Sequence, residues 1–185
     1  SERRHLLHKS LQDRTMRIAV TALVIVAAAV AASAQSVLKL VPRKYSEVEL
    51  ALGKRSVIFD LDDALIGANG SLPGNPPHKY RTLFTAEKDA FVYLVVNVRS
   101  SSPITNPMAP CGGDSPQSIL WIKADKTLKK REVQSEIYES CSYGYYDSEV
   151  KRTKTSIVIG YGSNKNIRLE YNNLAPENGL VVTKK

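Results

Sequence analysis

Three carboxylates, Asp60, Asp62 and Asp63, stand close together after the apolar run 57–59. Two carboxylates one residue apart at the end of a strand suit covalent and acid–base chemistry beside a divalent cation. Three carboxylates entering a loop also suit calcium, which accepts oxygen ligands from loops, with a helper such as Asp114. The interpretation without chemistry is a strand that turns Asp60 and Asp62 to solvent. We favour this solvent-facing strand, and we keep a metal site at Asp60, Asp62 and Asp63 as a hypothesis.

The segment 57–65 resembles the first motif of the haloacid dehalogenase-like phosphatases, in which an apolar strand ends in Asp-x-Asp. That resemblance implies a magnesium-dependent phosphatase with Asp60 as nucleophile and Asp62 as acid/base. The chain departs from the family's pattern at Ala64, where Thr is usual. The family's fold also requires a helix next, and residues 67–77 are too rich in Gly and Pro to form one. We therefore keep this phosphatase as the alternative function and expect no catalytic residues.

An export signal precedes the main part of the chain. Met16-Arg17 is followed by about fifteen uncharged residues, 18–32, and then by the small-x-small site at Ala34. We expect residues 16–34 to be a signal peptide, and an uncleaved anchor is the alternative, although the apolar run is shorter than the ~20 residues that span a membrane. Residues 1–15 are expected to be an upstream or artefactual extension, with a twin-arginine leader at Arg3-Arg4 as the other reading.

Composition and charge narrow the class of protein. Hydrophobic residues make up 43% and charged residues 24%, which is typical of a globular domain. Removing residues 1–34 takes away five basic and two acidic residues, so the net charge falls from +8 to +5. No basic stretch is interleaved with aromatic residues, so we expect no nucleic-acid partner. Because there are two cysteines and only one histidine, His78, outside the first eight residues, a structural zinc site is excluded.

The part of the chain after Gln35 alternates apolar and polar residues with a period of two, which predicts strands. The run 91–98 is continuously apolar and β-branched, as in a strand that is buried on both faces. Long loops rich in Gly and Pro are expected at 67–78 and 100–117. The predicted strands number about nine, which indicates an all-β domain over 36–185, a single β-sandwich or flattened barrel with mainly antiparallel pairing. They lie at 47–52, 57–62, 80–84, 91–98, 119–124, 129–141, 156–161, 167–171 and 180–183.

The two cysteines, Cys111 and Cys141, are expected to form a disulfide because an exported chain meets an oxidising compartment. They are equidistant from residue 126, where a turn is predicted between two strands. In an antiparallel hairpin, residues equidistant from the turn face each other. The hairpin itself should therefore bring the two thiols together.

Four tyrosines near the second cysteine, Tyr138, Tyr143, Tyr145 and Tyr146, form a candidate contact surface for protein or sugar. Packing at the edge of a hairpin is the alternative interpretation. The order Pro110-Cys111-Gly112-Gly113 with a later Ser140-Cys141 is similar to exported bacterial β-rich proteins of unknown function, over about 30 residues. That resemblance implies no activity.

The sequence therefore predicts an exported all-β domain, periplasmic or secreted, with no cofactor. We expect a non-enzymatic binding or accessory role in the cell envelope, with an envelope protein or a glycan as the partner. The membrane would be met only through the signal peptide before cleavage. The sequence does not identify the ligand.

Overall fold

Three antiparallel β-sheets form the framework of the computed structural model, which describes residues 37–66, 74–102, 111 and 113–185. Within these residues the strands are β1 (Leu38–Pro42), β2 (Glu47–Leu52), β3 (Arg55–Asp60), β4 (Asn75–Lys88), β5 (Phe91–Ser101), β6 (Gln117–Asp125), β7 (Arg131–Glu139), β8 (Glu149–Arg152), β9 (Ser156–Tyr161), β10 (Ile167–Asn172) and β11 (Val181–Lys184). The sheet orders are β1–β2–β3, β4–β5–β6–β7 and β11–β10–β9–β8. The helical elements are the five-residue helix α1 (Leu61–Leu65) and 3₁₀ turns at Cys141–Tyr143, Ser163–Lys165 and Pro176–Asn178. The predicted all-β class is confirmed.

The sheet β4–β5–β6–β7 is the central one, and both of its faces are covered. Even-numbered residues of β5 from Val92 to Val98 enter a core shared with β1, β2 and α1. Odd-numbered Tyr93 and Val95 enter a second core shared with β9 and β10. Side chains alternate across a strand, so a strand between two cores must be apolar at every position. This confirms the prediction for 91–98, and it adds a third layer to the expected sandwich.

The first core is closed at one end by the short helix α1. Leu61 and Leu65 are both buried, and they are four residues apart, so they lie on one face of the helical turn. They pack with Leu50 of β2 and Leu94 of β5. Burying a leucine contributes about 1.5–3 kcal/mol, so this pair secures the end of β3 against the central sheet.

The second core is rich in aromatic residues. Trp121 of β6 is fully buried, and its Nε1–H donates a hydrogen bond of 3.0 Å to the carbonyl oxygen of Pro176. Tyr93 lies 6.1 Å from the Trp121 ring, and Phe84 lies 5.4 Å from Tyr171. A buried indole N–H needs a polar partner, and Trp121 has one in Pro176. This hydrogen bond and the contact between Phe84 and Tyr171 hold the sheet β11–β10–β9–β8 over the central sheet.

Two strands were not predicted from the sequence, and one was predicted two residues too far along the chain. β1 has Lys39 and Pro42 among its apolar residues, and β8 is exposed at every position, so neither carries a strong pattern. The strand predicted at 57–62 ends at Asp60, because the chain turns into α1 there. β4 begins at Asn75, so His78 lies in a strand and not in the loop predicted at 67–78.

Cys111 and Cys141 are joined by a disulfide, with their Cα atoms 5.5 Å apart. The hairpin register does not explain the pairing, since β6 and β7 are paired only from Gln117 and Glu139 inwards, with a register shift next to Gln117. Both cysteines lie beyond the paired part. Asp114 supplies the local connection, accepting a hydrogen bond of 2.9 Å from the amide of Cys141. A ring of 30 residues stabilises the fold by about 3–4 kcal/mol in the chain-entropy model.

The predicted extension at 1–15 and signal peptide at 16–34 lie outside the described residues. In the part of the chain that the structure describes, no helix has the length and apolar character needed to cross a membrane.

Candidate functional site

The acidic segment serves mainly to start the helix. Asp60 is the residue before α1, and its Oδ1 accepts a hydrogen bond of 2.9 Å from the amide of Asp62. A side chain that accepts from an amide of the first turn satisfies a donor that the helix itself leaves unpaired. The expectation that both Asp60 and Asp62 face solvent from one strand is therefore wrong, because only Asp63 of the three is fully exposed.

Asp62 belongs instead to a buried polar cluster with His78 and Ser100, which we call the His78 cluster. His78 Nε2 lies 2.6 Å from Asp62 Oδ1, and His78 Nδ1 lies 2.9 Å from Ser100 Oγ. An ionised carboxylate can only accept, so Nε2–H donates to Asp62, and in the neutral ring Nδ1 accepts the hydroxyl proton of Ser100. The cluster links α1, β4 and β5 at one end of the first core.

The same three residue types perform nucleophilic catalysis in hydrolases, where a histidine base activates a serine and a carboxylate orients the base. Such chemistry requires a reacting carbonyl about 3 Å from the serine oxygen. Ser100 is only 4% exposed, and the His78 side chain is completely buried. Gly74 packs so closely on this strand that a Cβ there would collide with Ser100 Cβ and with the carbonyl oxygen of Ser101. The His78 cluster is thus closed to a substrate and acts as a structural link.

Three of the four carboxylates that were candidates for a metal site have other partners, and the fourth, Asp63, is exposed. Asp60 caps α1, Asp62 contacts His78, and Asp114 lies beside the disulfide, where it accepts from the hydroxyl of Ser140. Among the described residues, no group of three or more His, Cys, Asp or Glu side chains is arranged to hold a metal ion. The antiparallel all-β fold also counts against the phosphatase alternative, because that family needs a full helix after the Asp-x-Asp strand and α1 has five residues.

The four predicted contact tyrosines do not form one surface. Tyr138 is buried in the second core, and Tyr145 packs edge-on against Tyr161 with ring centroids 5.2 Å apart. Tyr143 lies 6.2 Å from Tyr145, while Tyr146 is exposed and donates a hydrogen bond of 3.2 Å to the carbonyl oxygen of Cys141. Tyr138 lines a cleft with the hydroxyl end of its ring.

That cleft, which we call the Arg81 cleft, opens where the second core ends between the central sheet and β8. Its volume is about 350 Å³, and eleven residues line it: Arg81, Leu83, Asn97, Gln117, Ile119, Tyr138, Glu139, Ser148, Val150, Arg152 and Ile157. Arg81 of β4 is paired directly with Asn97 of β5. Because side chains alternate, Asn97 lies on the same face as Tyr93 and Val95, which places a polar row just past the apolar one.

The polar row of the Arg81 cleft is ordered by hydrogen bonds between side chains. The hydroxyl oxygen of Tyr138 lies 3.1 Å from Asn97 Oδ1 and 2.9 Å from Gln117 Oε1, so its single proton has two acceptors within reach. Asn97 Nδ2 donates to the same Gln117 Oε1 at 3.2 Å. Burial raises the pKa of Tyr138 to about 12, and Glu139 adds to the rise, while the Asn97 hydrogen bond and Arg81 oppose it. At neutral pH the hydroxyl therefore remains a donor.

Arg152 forms one wall of the Arg81 cleft. Its Nη2 donates a hydrogen bond of 2.6 Å to the carbonyl oxygen of Leu83, and its guanidinium lies 5.0 Å from the centroid of the Phe84 ring. Contact with an aromatic face and a backbone acceptor fixes the orientation of a guanidinium without neutralising it. The cleft thus has a positive wall that is held in place.

Sequence reasoning named Tyr138 but missed Arg81, Asn97 and Gln117. The sequence did carry a signal at Asn97. It is a polar residue within the apolar run 91–98, and a buried amide needs hydrogen-bond partners. For Arg81 and Gln117 no comparable signal exists, because exposed polar residues at the ends of strands are common. His78 and Ser100 were missed because the sequence placed them in or next to the predicted loops.

Comparison of the chain with protein-family models, with curated proteins and with solved structures finds no match. The resemblance of the Cys111 region to exported bacterial proteins therefore remains a prediction.

Proposed function

We propose that this protein is an exported, non-enzymatic binding protein of the cell envelope or its surroundings, and that the Arg81 cleft holds the ligand. The observation that carries the proposal is the polar row, in which side chains from four strands of one sheet converge on a concave site. Sites for small ligands are typically concavities of about 300–1,000 Å³ that combine apolar lining with a few placed polar groups. The cleft, at about 350 Å³, fits this description.

Two features support export. The leader pattern at 16–34 has the basic start, apolar centre and small-residue site of a signal peptide. The Cys111–Cys141 disulfide is the form that cysteines take in an oxidising compartment such as the periplasm or the cell exterior. Neither feature distinguishes the periplasm from the exterior, so the proposal covers both.

A binding role fits the cleft better than catalysis does. The described residues that line it include no histidine, cysteine or metal-ligand cluster, and Glu139 is its one carboxylate. Its polar groups hydrogen-bond to each other and are held on rigid strands, which suits recognition of a ligand at low entropic cost.

The test is a binding screen with a variant that fills the cleft. The oxidised domain, residues 36–185, would be titrated with peptidoglycan fragments, soluble oligosaccharides and free sugars, and binding followed by calorimetry and by the shift in melting temperature. Val150→Trp places a large ring in the cleft at a residue that is 48% exposed. Val182→Trp is the matched control, because Val182 is 39% exposed on the other edge strand of the same sheet and does not line the cleft.

We expect at least one compound to bind, and its affinity to fall at least about tenfold in Val150→Trp and less than twofold in Val182→Trp. Equal affinity in both variants would show that the ligand binds outside the Arg81 cleft, and the surface at Tyr146 would be the next candidate. Failure of the whole screen would contradict the binding role.

A further inference from the structure

The hydrogen bonds inside the Arg81 cleft engage the amide oxygens of its polar row and leave several N–H donors free. We infer that the ligand carries an oxyanion, a carboxylate or a phosphate, on a polar body about as large as one sugar or one amino acid. This inference rests on the proposed function and names the chemistry of its ligand. It follows from a count of hydrogen-bonding groups, from the charges and from the size of the cleft.

The two amides of the polar row show the imbalance between donors and acceptors. Gln117 Oε1 accepts from Asn97 Nδ2, and the single proton of Tyr138 is donated either to Gln117 Oε1 or to Asn97 Oδ1. Gln117 Nε2, by contrast, has no hydrogen-bond partner among the described residues. An amide has two acceptor sites and two N–H donors, so the free side of Gln117 offers N–H groups to a ligand.

The charges of the Arg81 cleft also favour an anionic ligand. The side chain of Arg81 makes no hydrogen bond or ion pair with any described residue, although it lies close enough to Tyr138 to affect the pKa of that tyrosine. Arg152 donates to a backbone carbonyl and so keeps its full charge. Glu139 is the one carboxylate of the lining, and it is engaged, since Ser148 Oγ donates to it at 2.7 Å. Two guanidinium groups against one carboxylate leave a net charge of +1.

Guanidinium groups and free N–H donors are the groups that recognise oxyanions. A guanidinium presents paired N–H groups that match the two oxygens of a carboxylate or phosphate, and such charge-assisted hydrogen bonds are roughly twice as strong as neutral ones. Elsewhere on the described surface, cations such as Arg43, Lys88 and Arg168 are each paired with a neighbouring glutamate. Arg81 is the arginine of the cleft whose side-chain donors are all available to a ligand that is both anionic and polar.

The size of the cleft limits the ligand. A volume of about 350 Å³ is at the lower end of the range for small-molecule sites. It admits one sugar acid, one sugar phosphate or one amino acid in contact with the polar row. The apolar lining from Leu83, Ile119 and Ile157 would contact the carbon skeleton of that ligand.

The test compares anionic probes with a neutral probe of the same shape. The folded, oxidised domain would be titrated with D-glucuronate, D-glucose 6-phosphate and D-glucose at low and at physiological salt. Arg81→Gln removes the unpaired charge but keeps a polar side chain. Arg168→Gln is the matched control, since Arg168 is an exposed arginine on β10 that pairs with Glu170 outside the cleft.

We expect at least one of the two anionic probes to bind about tenfold or more tightly than D-glucose, and its affinity to fall as salt rises. The Arg81→Gln variant should lose about tenfold in that affinity, and Arg168→Gln less than twofold. Preference for D-glucuronate over D-glucose 6-phosphate would identify the carboxylate as the source of the oxyanion, and the reverse preference would identify the phosphate.

Two results would overturn the inference. The first is that D-glucose binds as tightly as the anions and that Val150→Trp abolishes the binding of all three, which would leave the proposed function intact. The second is that neither anion binds, or that Arg81→Gln binds them as the unmodified protein does. The proposed function fails separately, when no compound in the wider screen is affected by Val150→Trp.

Discussion

The His78 cluster and the Arg81 cleft lie on opposite faces of the same central sheet, at the ends of its two cores. β5 contributes to both, because it turns Ser100 to the first core and Asn97 to the second. In the His78 cluster each polar side chain has a partner within the protein and Ser100 is 4% exposed. In the Arg81 cleft, Arg81 and Gln117 Nε2 keep donors that no described residue uses.

The difference shows what separates a structural polar cluster from a binding site. The residues of the His78 cluster are the ones that sequence patterns associate with catalysis, yet His78 and Ser100 are closed to solvent and the three side chains satisfy each other. The residues of the Arg81 cleft are unremarkable in the sequence, yet the fold leaves their donors facing a concavity. A binding site is therefore identified by hydrogen-bond donors that are free and that a ligand can reach, and not by residue type.

The largest expected effect on stability comes from His78→Ala. This change removes a buried ring and leaves Asp62 and Ser100 without partners, so we expect the free energy of unfolding to fall by about 2–4 kcal/mol. Denaturant unfolding of the oxidised domain measures it. If the variant does not fold, Ser100→Ala provides the milder test, with an expected loss of about 1 kcal/mol. A loss below about 0.5 kcal/mol in both variants would show that the cluster does not support the fold.

A second expected effect is a loss of stability at high pH through Tyr138. In the unfolded chain its hydroxyl ionises near pH 10, whereas burial raises the pKa of Tyr138 to about 12 in the folded protein. Between these values the unfolded state has lost the proton and the folded state has kept it, so stability falls as pH rises, by at most about 1.4 kcal/mol per pH unit from this residue.

Tyr138→Phe isolates that contribution from those of Tyr161 and Tyr171, whose pKa values burial also raises. We expect the unmodified protein to be more stable than the variant at pH 8 by about 1 kcal/mol, and this advantage to shrink between pH 10 and 12. Denaturant unfolding at a series of pH values measures both. A constant difference across that interval would mean that Tyr138 is hydrated in the folded protein.

The smallest expected effect on stability is that of Arg81→Gln. Because Arg81 has no partner among the described residues, the free energy of unfolding should change by less than about 0.5 kcal/mol. The same unfolding experiment measures it, with His78→Ala as the reference on the other face of the sheet. A loss above about 1 kcal/mol would show that Arg81 supports the fold, and would weaken the argument that its donors are kept for a ligand.

Much of the fold could be predicted from the sequence, because alternation and apolar runs report directly on burial. The run 91–98 predicted a strand between two apolar layers, and both layers are present. The disulfide was predicted from the cysteines and the expected compartment, although the hairpin symmetry offered for it does not hold. The five-residue α1 has too few residues to show a helical period, and β8 has too few apolar ones to show a strand.

The candidate site could not be predicted, since it depends on which strand ends meet in space. Asp60 and Asp62 are two positions apart in the sequence and suggest a shared site, but one caps a helix and the other contacts a histidine 16 positions away. Arg81, Gln117 and Arg152 come from three strands of two sheets, and nothing local in the sequence links them. These residues meet because the register of the strands and the order of the sheets bring their positions together.

The most direct test of this comparison is a nuclear magnetic resonance titration of the isotope-labelled domain with D-glucuronate and D-glucose 6-phosphate. Our account predicts that the side-chain N–H signals of Gln117 and Arg81 shift with added anion, while the ring signals of His78 stay in place. Shifts centred on His78, Asp62 and Ser100, or no shift at Gln117 and Arg81 with either anion, would contradict it.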